Sequence, residues 1–420
     1  MTGSRLRLRP AGALLLACLW VGGCAPGARH GPAPRSPVAG APARAVGGRA
    51  SGVPGRAAAA PPGRPAGPPA PARGIGAAGS PLRFCVQPAA AGLRAGLARA
   101  VPGSQRGELI PLGAAAGGRA AYVSAWTRGF AGVGELDLRT GQLREIQRFA
   151  DPSADQADGS AAGRWLVWAQ TYSLQSLDDF TVYSFDAATG RVRALGRSLT
   201  GPGGVSWPSP WHPPAVSGHY GAWAQGYAPG GLVQIRLADL ATGQVRVIRA
   251  GHVQPPFFDG GLVVWPESDS PGSQTTLHAY SLATGRSAPL PAVLRAVHGT
   301  EFVATDGART AYLSPDLTEL YYSPAQQQRA AVMLRLPGGV TFAGLTLSAR
   351  ALAWTTSTAT YLASTETGAY SRVTAAYGYA TAAGPVTLVS DAPSVKAAHP
   401  ALALHVVSVA ALASPRCARA

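Results

Sequence analysis

At 420 residues the chain exceeds one ordinary domain unless it is a repeat array or carries segments outside any domain. It holds 53 Gly, 37 Pro, a single Lys (Lys396) and no Asn, a bias toward GC-rich codons that points to a bacterial genome and excludes N-glycosylation sequons. The net charge of +16 is not a nucleic-acid signal. Of the 36 basic and 20 acidic residues, 14 basic and no acidic ones precede Glu108, so the remainder is nearly neutral, whereas a nucleic-acid-binding domain gathers basic charge on its own surface.

The chain starts with Arg5, Arg7 and Arg9, followed by the apolar run AGALLLACLWVGG and Cys24. The run is too short to span a bilayer comfortably and fits the apolar region of a secretory signal over residues 1–23. Its ending, Val21-Gly22-Gly23-Cys24, resembles a bacterial lipobox. The resemblance implies that Cys24 is lipidated, becomes the mature N-terminus and anchors the protein to a bilayer. Residues 24–81 are Pro, Ala, Gly and Arg without periodicity, and they are expected to form a disordered tether. The GIGAAG run at Gly74–Gly79 has dinucleotide-fingerprint spacing, but no strand precedes it and no helix follows. Leu82–Pro88 is the first strand-like stretch, and 82–420 is the expected folded domain.

From Gly107 onward one unit recurs. A small or acidic residue, usually followed by Gly, stands six positions before a large residue. The copies are Ala116…Tyr122, Ala162…Trp168, Ser217…Trp223, Asp259…Trp265, Asp306…Tyr312, Ser348…Trp354 and Ala383…Val389, spaced by 46, 55, 42, 47, 42 and 35 residues. Periods near 40–45 point to propeller blades. Thr-Gly recurs at Thr140, Thr189, Thr242, Thr284 and Thr367, each after an alternating strand-like run. The fifth unit has Ser323-Pro324-Ala325 in that place.

The reading is a four-stranded antiparallel blade whose glycines supply the positive φ of tight hairpins. Apolar runs such as AYVSAW and LVVW suit an inner strand covered on both faces, and LHAYSL suits a half-exposed outer strand. The fold class is all-β, a seven-bladed β-propeller, or six-bladed if the last unit is degenerate. In its Asp-Gly turn, aromatic-ended strand and later Thr-Gly turn, the unit resembles blades of TolB-type and WD-repeat-like propellers. The usual Ser-Pro-Asp-Gly turn is missing; Leu313–Asp316 carries a similar sequence elsewhere in its unit.

The last unit is one strand short, and the strand at Leu82–Pro88 is expected to complete it. That closure would bring Cys85 to Cys417. With Cys18 removed and Cys24 acylated, these two remain in an exported chain, and a disulfide between them is expected.

The recurring tryptophans Trp126, Trp168, Trp223, Trp265 and Trp354 read as packing between blades. Trp207 and Trp211 fall outside the register, in a Pro-rich loop, and are ligand-contact candidates together with His212, Asp155 and Asp158. No catalytic or metal-ligand motif is present, no cofactor is expected, and Asp137, Asp186 and Asp239 read as turn-formers. The expected function is a membrane-anchored, extracytoplasmic propeller lipoprotein, not an enzyme, that binds an envelope protein or glycan and no nucleic acid. The alternative is an exported carbohydrate-active or other hydrolytic propeller using Asp155, Asp158 and His212.

Overall fold

Turn glycines alternating with short β-prone runs fold the chain into successive antiparallel meanders. The computed structural model describes residues 84–86, 91–104, 107–172, 178–207, 212–300, 302–325, 327, 329–374, 378–383, 386–391 and 403–408. The expected signal segment, Cys24, the tether, Trp211 and Cys417 lie outside these residues.

The described chain begins with β1 (Cys85–Val86) and α1 (Ala91–Ala98). The first sheet holds β2 (Gly107–Ala114), β3 (Ala120–Thr127), β4 (Phe130–Asp137) and β5 (Leu143–Arg148). The second holds β6 (Gln156–Ala162), β7 (Trp165–Thr171), β8 (Phe180–Asp186) and β9 (Arg191–Arg197). The third strand set is β10 (Ala215–Ser217), β11 (Tyr220–Ala228), β12 (Leu232–Asp239) and β13 (Gln244–Val253), and the fourth is β14 (Phe257–Asp259), β15 (Leu262–Ser268), β16 (Thr276–Ser281) and β17 (Arg286–Ala288). The end of β13 pairs with β15, which joins these two sets into one eight-stranded sheet. After α2 (Ala292–Arg295) comes the fifth set, β18 (Val303–Thr305), β19 (Thr310–Leu313), β20 (Glu319–Ser323) and β21 (Ala331–Arg335). The sixth is β22 (Phe342–Leu347), β23 (Ala351–Thr356), β24 (Thr360–Ser364) and β25 (Ala369–Arg372). The last set is β26 (Gly378–Ala383), β27 (Val386–Asp391) and β28 (Leu404–Ser408).

The first strand of each set packs on the first strand of the next, from β2 through β6, β10, β14, β18 and β22 to β26, and β26 packs back on β2. An apolar cluster fills each junction. Leu112, Trp168 and Phe185 lie between the first and second sets, and Leu109, Leu388 and Leu404 lie between the last and the first. The described residues therefore form a β-propeller, in which stacked sheets bury one another's faces.

The repeat register read from the sequence is the structural register. The large residue of each copy sits on the second strand, directly across from a third-strand partner: Tyr122–Glu135, Trp168–Tyr183, Trp223–Arg236, Trp265–His278, Tyr312–Tyr321, Trp354–Tyr361 and Val389–His405. Trp168, Trp223, Trp265 and Trp354 are buried, Trp126 is half-buried, and Trp168–Tyr183 and Trp354–Tyr361 stack at 5.4 Å. The tryptophans are packing residues between sheets.

Two expectations are corrected. The apolar runs are not the innermost strands but the second ones; the strands that meet their counterparts around the axis are the first strands of each set, from three residues in β10, β14 and β18 to eight in β2. Neighbouring sheets cover both faces of the second strand, which demands an unbroken apolar run whatever its distance from the axis. The segment at 82–88 does not complete the last set. Its described part, β1, runs parallel to β25 on the sixth sheet, with Phe84 edge-on to Tyr322 at 5.2 Å. Ala100 bridges His405, and the Val101 amide donates to the Leu404 carbonyl at 2.8 Å, so residues just after α1 occupy the missing fourth-strand place. The two ends of the propeller domain still meet in one sheet.

Candidate functional site: the loop-bearing end of the propeller

In an antiparallel meander the first and third turns lie at one end and the second turn and outgoing connection at the other. In five of the sets the first of these ends is closed by a tight turn; the fifth set has a longer one, 324–330. After the third strand, Gly141, Gly190, Gly243, Gly285 and Gly368 each donate their amide to the carbonyl four residues back. Asp137 and Asp239 also accept from backbone amides with their carboxylates, as expected for turn-formers, and Asp186 accepts from Ala188 N and Thr189 Oγ1. Ser281 and Ser364 stand in for the acid in two turns. At the opposite end run the longest described connections, 198–214 between the second and third sets and 289–302 between the fourth and fifth. These two meet: the His212 and Phe302 rings are 6.0 Å apart, edge to face.

Asp158 is the third residue of β6, on the wall around the axis. The next residue but one fixes its neighbourhood. Ser160 Oγ donates to the Pro214 carbonyl, and Pro213-Pro214 follow His212, so the rigid Pro-Pro step holds His212 within electrostatic reach of Asp158. The Asp158 carboxylate reaches solvent, yet protein surrounds it, as for a group lining a channel. Desolvation raises its pKa from 3.8 to about 6, opposed by the Gly159 amide donating at 2.8 Å and by the charge of His212. The Asp158 carboxyl can therefore donate or accept a hydrogen bond near pH 6.

Asp155 lies only three residues away but has a different role. It is buried, and its Oδ2 accepts from the amides of Ala150 (2.9 Å) and Asp151 (3.2 Å) and from Gln170 Nε2 (3.1 Å). Gln147 Nε2 in turn donates to Gln170 Oε1 at 2.8 Å. Asp155 therefore folds the connection between the first two sets, and its Oδ2 is occupied within the protein. Trp207 is half-buried. Its amide donates to the Leu199 carbonyl at 2.7 Å, and its indole lies flush on Gly201, where a Cβ would come within 2.7 Å of the ring. It closes the 199–207 loop on itself.

The structure thus brings Asp158 and His212 together, leaves Asp155 apart from them, and adds Phe302, which the sequence reading missed. Phe302 falls four residues before the Asp306-Gly307 turn, the same offset as Asp158 before Ala162-Gly163. That shared offset was the available signal. Two further carboxylates at this end are held in ion pairs: Glu267 accepts from Arg249 and from Trp265 Nε1, and Asp179 pairs with Arg197.

No protein-family model matches the chain, and no curated protein matches it. Among solved structures it is similar to one from a study of two prolyl endopeptidases (14% identity, 78% of this chain, TM-score 0.49), of whose length it spans half. It is also similar to TolB from Acinetobacter baumannii (14% identity, 73% of this chain and 65% of that one, TM-score 0.36). A third is the β-propeller domain of the Trilobed protease from Pyrococcus furiosus (10% identity, 55% of this chain and 87% of that one, TM-score 0.36). The likeness to propellers, TolB among them, is one of fold, and the fold assignment rests on the strand order and sheet packing described above.

Proposed function

We propose that the chain is a lipoprotein of a bacterial envelope: a signal over 1–23, lipid on Cys24, a tether over 24–81, and a seven-bladed propeller over 82–420 that binds an envelope protein or other envelope ligand. The observation that carries the binding role is the asymmetry of the two ends. At one end five of the sets close with short, internally hydrogen-bonded turns, and at the other the 198–214 and 289–302 connections meet, with His212 against Phe302 and within electrostatic reach of Asp158. Binding residues concentrate on loops held by a rigid scaffold. The lipobox resemblance supports the anchor, and the near-neutral charge after Glu108 argues against a nucleic-acid partner. Pairing of Cys85 with Cys417 is part of the proposal. The Cys85 amide donates to the Gly368 carbonyl at 3.0 Å, which fixes that cysteine on the edge of the sixth sheet.

The experiment is affinity capture from envelope extract with the full chain, beside a His212→Ala variant. A saturable partner, weakened by the variant, supports the reading; none, or one indifferent to the variant, counts against it. Mass spectrometry of the mature N-terminus and of non-reduced peptides tests the Cys24 lipid and the Cys85–Cys417 bond. A second reading, an exported hydrolase of envelope carbohydrate, draws on Asp158 poised near neutrality beside His212. It requires hydrolysis by the wild type that Asp158→Asn abolishes.

A further inference from the structure

On the second sheet, at the same end but away from the axis, a shallow concavity of about 570 Å³ opens over β8 and β9. Alternation along the strand puts Asp179, Thr181 and Tyr183 on one face, and Tyr172 and Arg197 complete the wall.

Three observations say what fits there. The first is a half-buried aromatic ring that lines the concavity. Tyr183 stacks on Trp168 at 5.4 Å on one side, and its fourth-strand neighbour on the other is Ala194. In the first, third, fifth and sixth sets the corresponding neighbour is larger, namely Arg144, Val247, Val332 and Arg372. Here alone among those rows the fourth strand leaves the ring open.

The second is a fixed, charge-balanced pair of planar groups. Arg197 Nε and Nη2 donate to Asp179 at 3.1–3.3 Å, and Ser198 Oγ braces Asp179 Oδ1 at 3.2 Å. The two side chains remain 68% and 40% exposed, so both keep hydrogen-bonding capacity toward solvent. The third is a row of neutral hydroxyls. The phenols of Tyr172 and Tyr183 are 3.0 Å apart, Thr181 bonds Tyr172, and burial raises the Tyr172 pKa to about 12, which keeps it protonated.

We propose that this concavity is a subsite for one pyranose unit of a neutral glycan. The C–H face of the sugar lies on the open face of Tyr183, and two adjacent hydroxyls engage Asp179 and Arg197, one as donor and one as acceptor. A free anion meets the Asp179 charge and a free cation the Arg197 charge, whereas a polyol with one apolar face satisfies all of these groups. The shallow, open form suits a sugar on a chain better than an enclosed apolar ligand. The site is separate from Asp158 and His212 and does not depend on the function proposed for them.

The test is an array of neutral and acidic glycans probed with the full chain, followed by titration with the strongest neutral hexasaccharide. Ala194→Leu covers the Tyr183 ring from an exposed position, and Arg197→Ala removes the planar donor. Each is expected to weaken binding about tenfold or more, the effect of losing one charge-assisted hydrogen bond or a comparable contact, with an unchanged unfolding transition. Failure to bind any neutral glycan, preference for acidic glycans, or binding indifferent to both variants overturns the proposal. Protein capture weakened by His212→Ala but indifferent to Ala194→Leu separates this site from the loop-bearing end.

Discussion

Asp158 differs in its environment from Asp155, three residues away in sequence. Its folded-state pKa of about 6 lies above the ordinary carboxylate value of 3.8. Below about pH 4 the group is protonated in folded and unfolded chains alike and contributes nothing to stability. Between about pH 4 and pH 6 the unfolded chain loses its proton first, so the fold is progressively penalised, and above about pH 6 the penalty is complete. Asp158→Asn removes that penalty. Thermal unfolding should show the variant more stable than the wild type at pH 8 and equal to it at pH 4; an equal difference at both would contradict the assignment. Asp155, by contrast, is a support for its loop. Asp155→Ala strands three donors and should cost about 2 kcal/mol or more, measured by urea unfolding. The sequence could nominate both acids but not tell them apart, because their partners, Gln170 for one and His212 for the other, arrive from different strands and connections.

At the scale of the element, the turns test how tightly the sheets are packed. Gly141 has φ +72°, and a Cβ there would lie 1.6 Å from the Pro102 carbonyl oxygen. Gly163 has φ +59° with open space around it. Gly163→Ala should cost ~1 kcal/mol from backbone strain alone, and Gly141→Ala clearly more than ~2 kcal/mol, because the chain from Ala100 must also move. Equal losses in denaturant unfolding would mean that Pro102 does not rest on the first sheet. Element boundaries were largely legible. The six-residue offset from turn to large residue reproduces the register of all seven second strands, since a tight hairpin turn leaves little freedom in pairing. What was not legible was distance from the axis. The innermost strands run from three residues at Ala215–Ser217 and Phe257–Asp259 to eight at Gly107–Ala114, and share no common pattern.

Across the whole molecule, closure depends on residues about 300 positions apart. Val101 is buried with Leu109, Leu388 and Leu404, and Ser104 Oγ accepts from the Leu404 amide at 3.3 Å. Val101→Ala should lower stability by about 1–3 kcal/mol. That the ends meet was inferable from a last unit lacking one strand. Which residues meet was not, because Leu82–Pro88 reads as a better strand than Ala100–Val101.

The central claim is that the end bearing the long connections is the binding face. It is tested most directly by placing a photo-crosslinking amino acid at Val205, 65% exposed in the 198–214 connection, and separately at Arg286, exposed on the tight-turn end, in cells carrying the full chain. The account predicts a discrete adduct with an envelope component from position 205 and none from position 286. Adducts from position 286 alone, or equally from both, would contradict it.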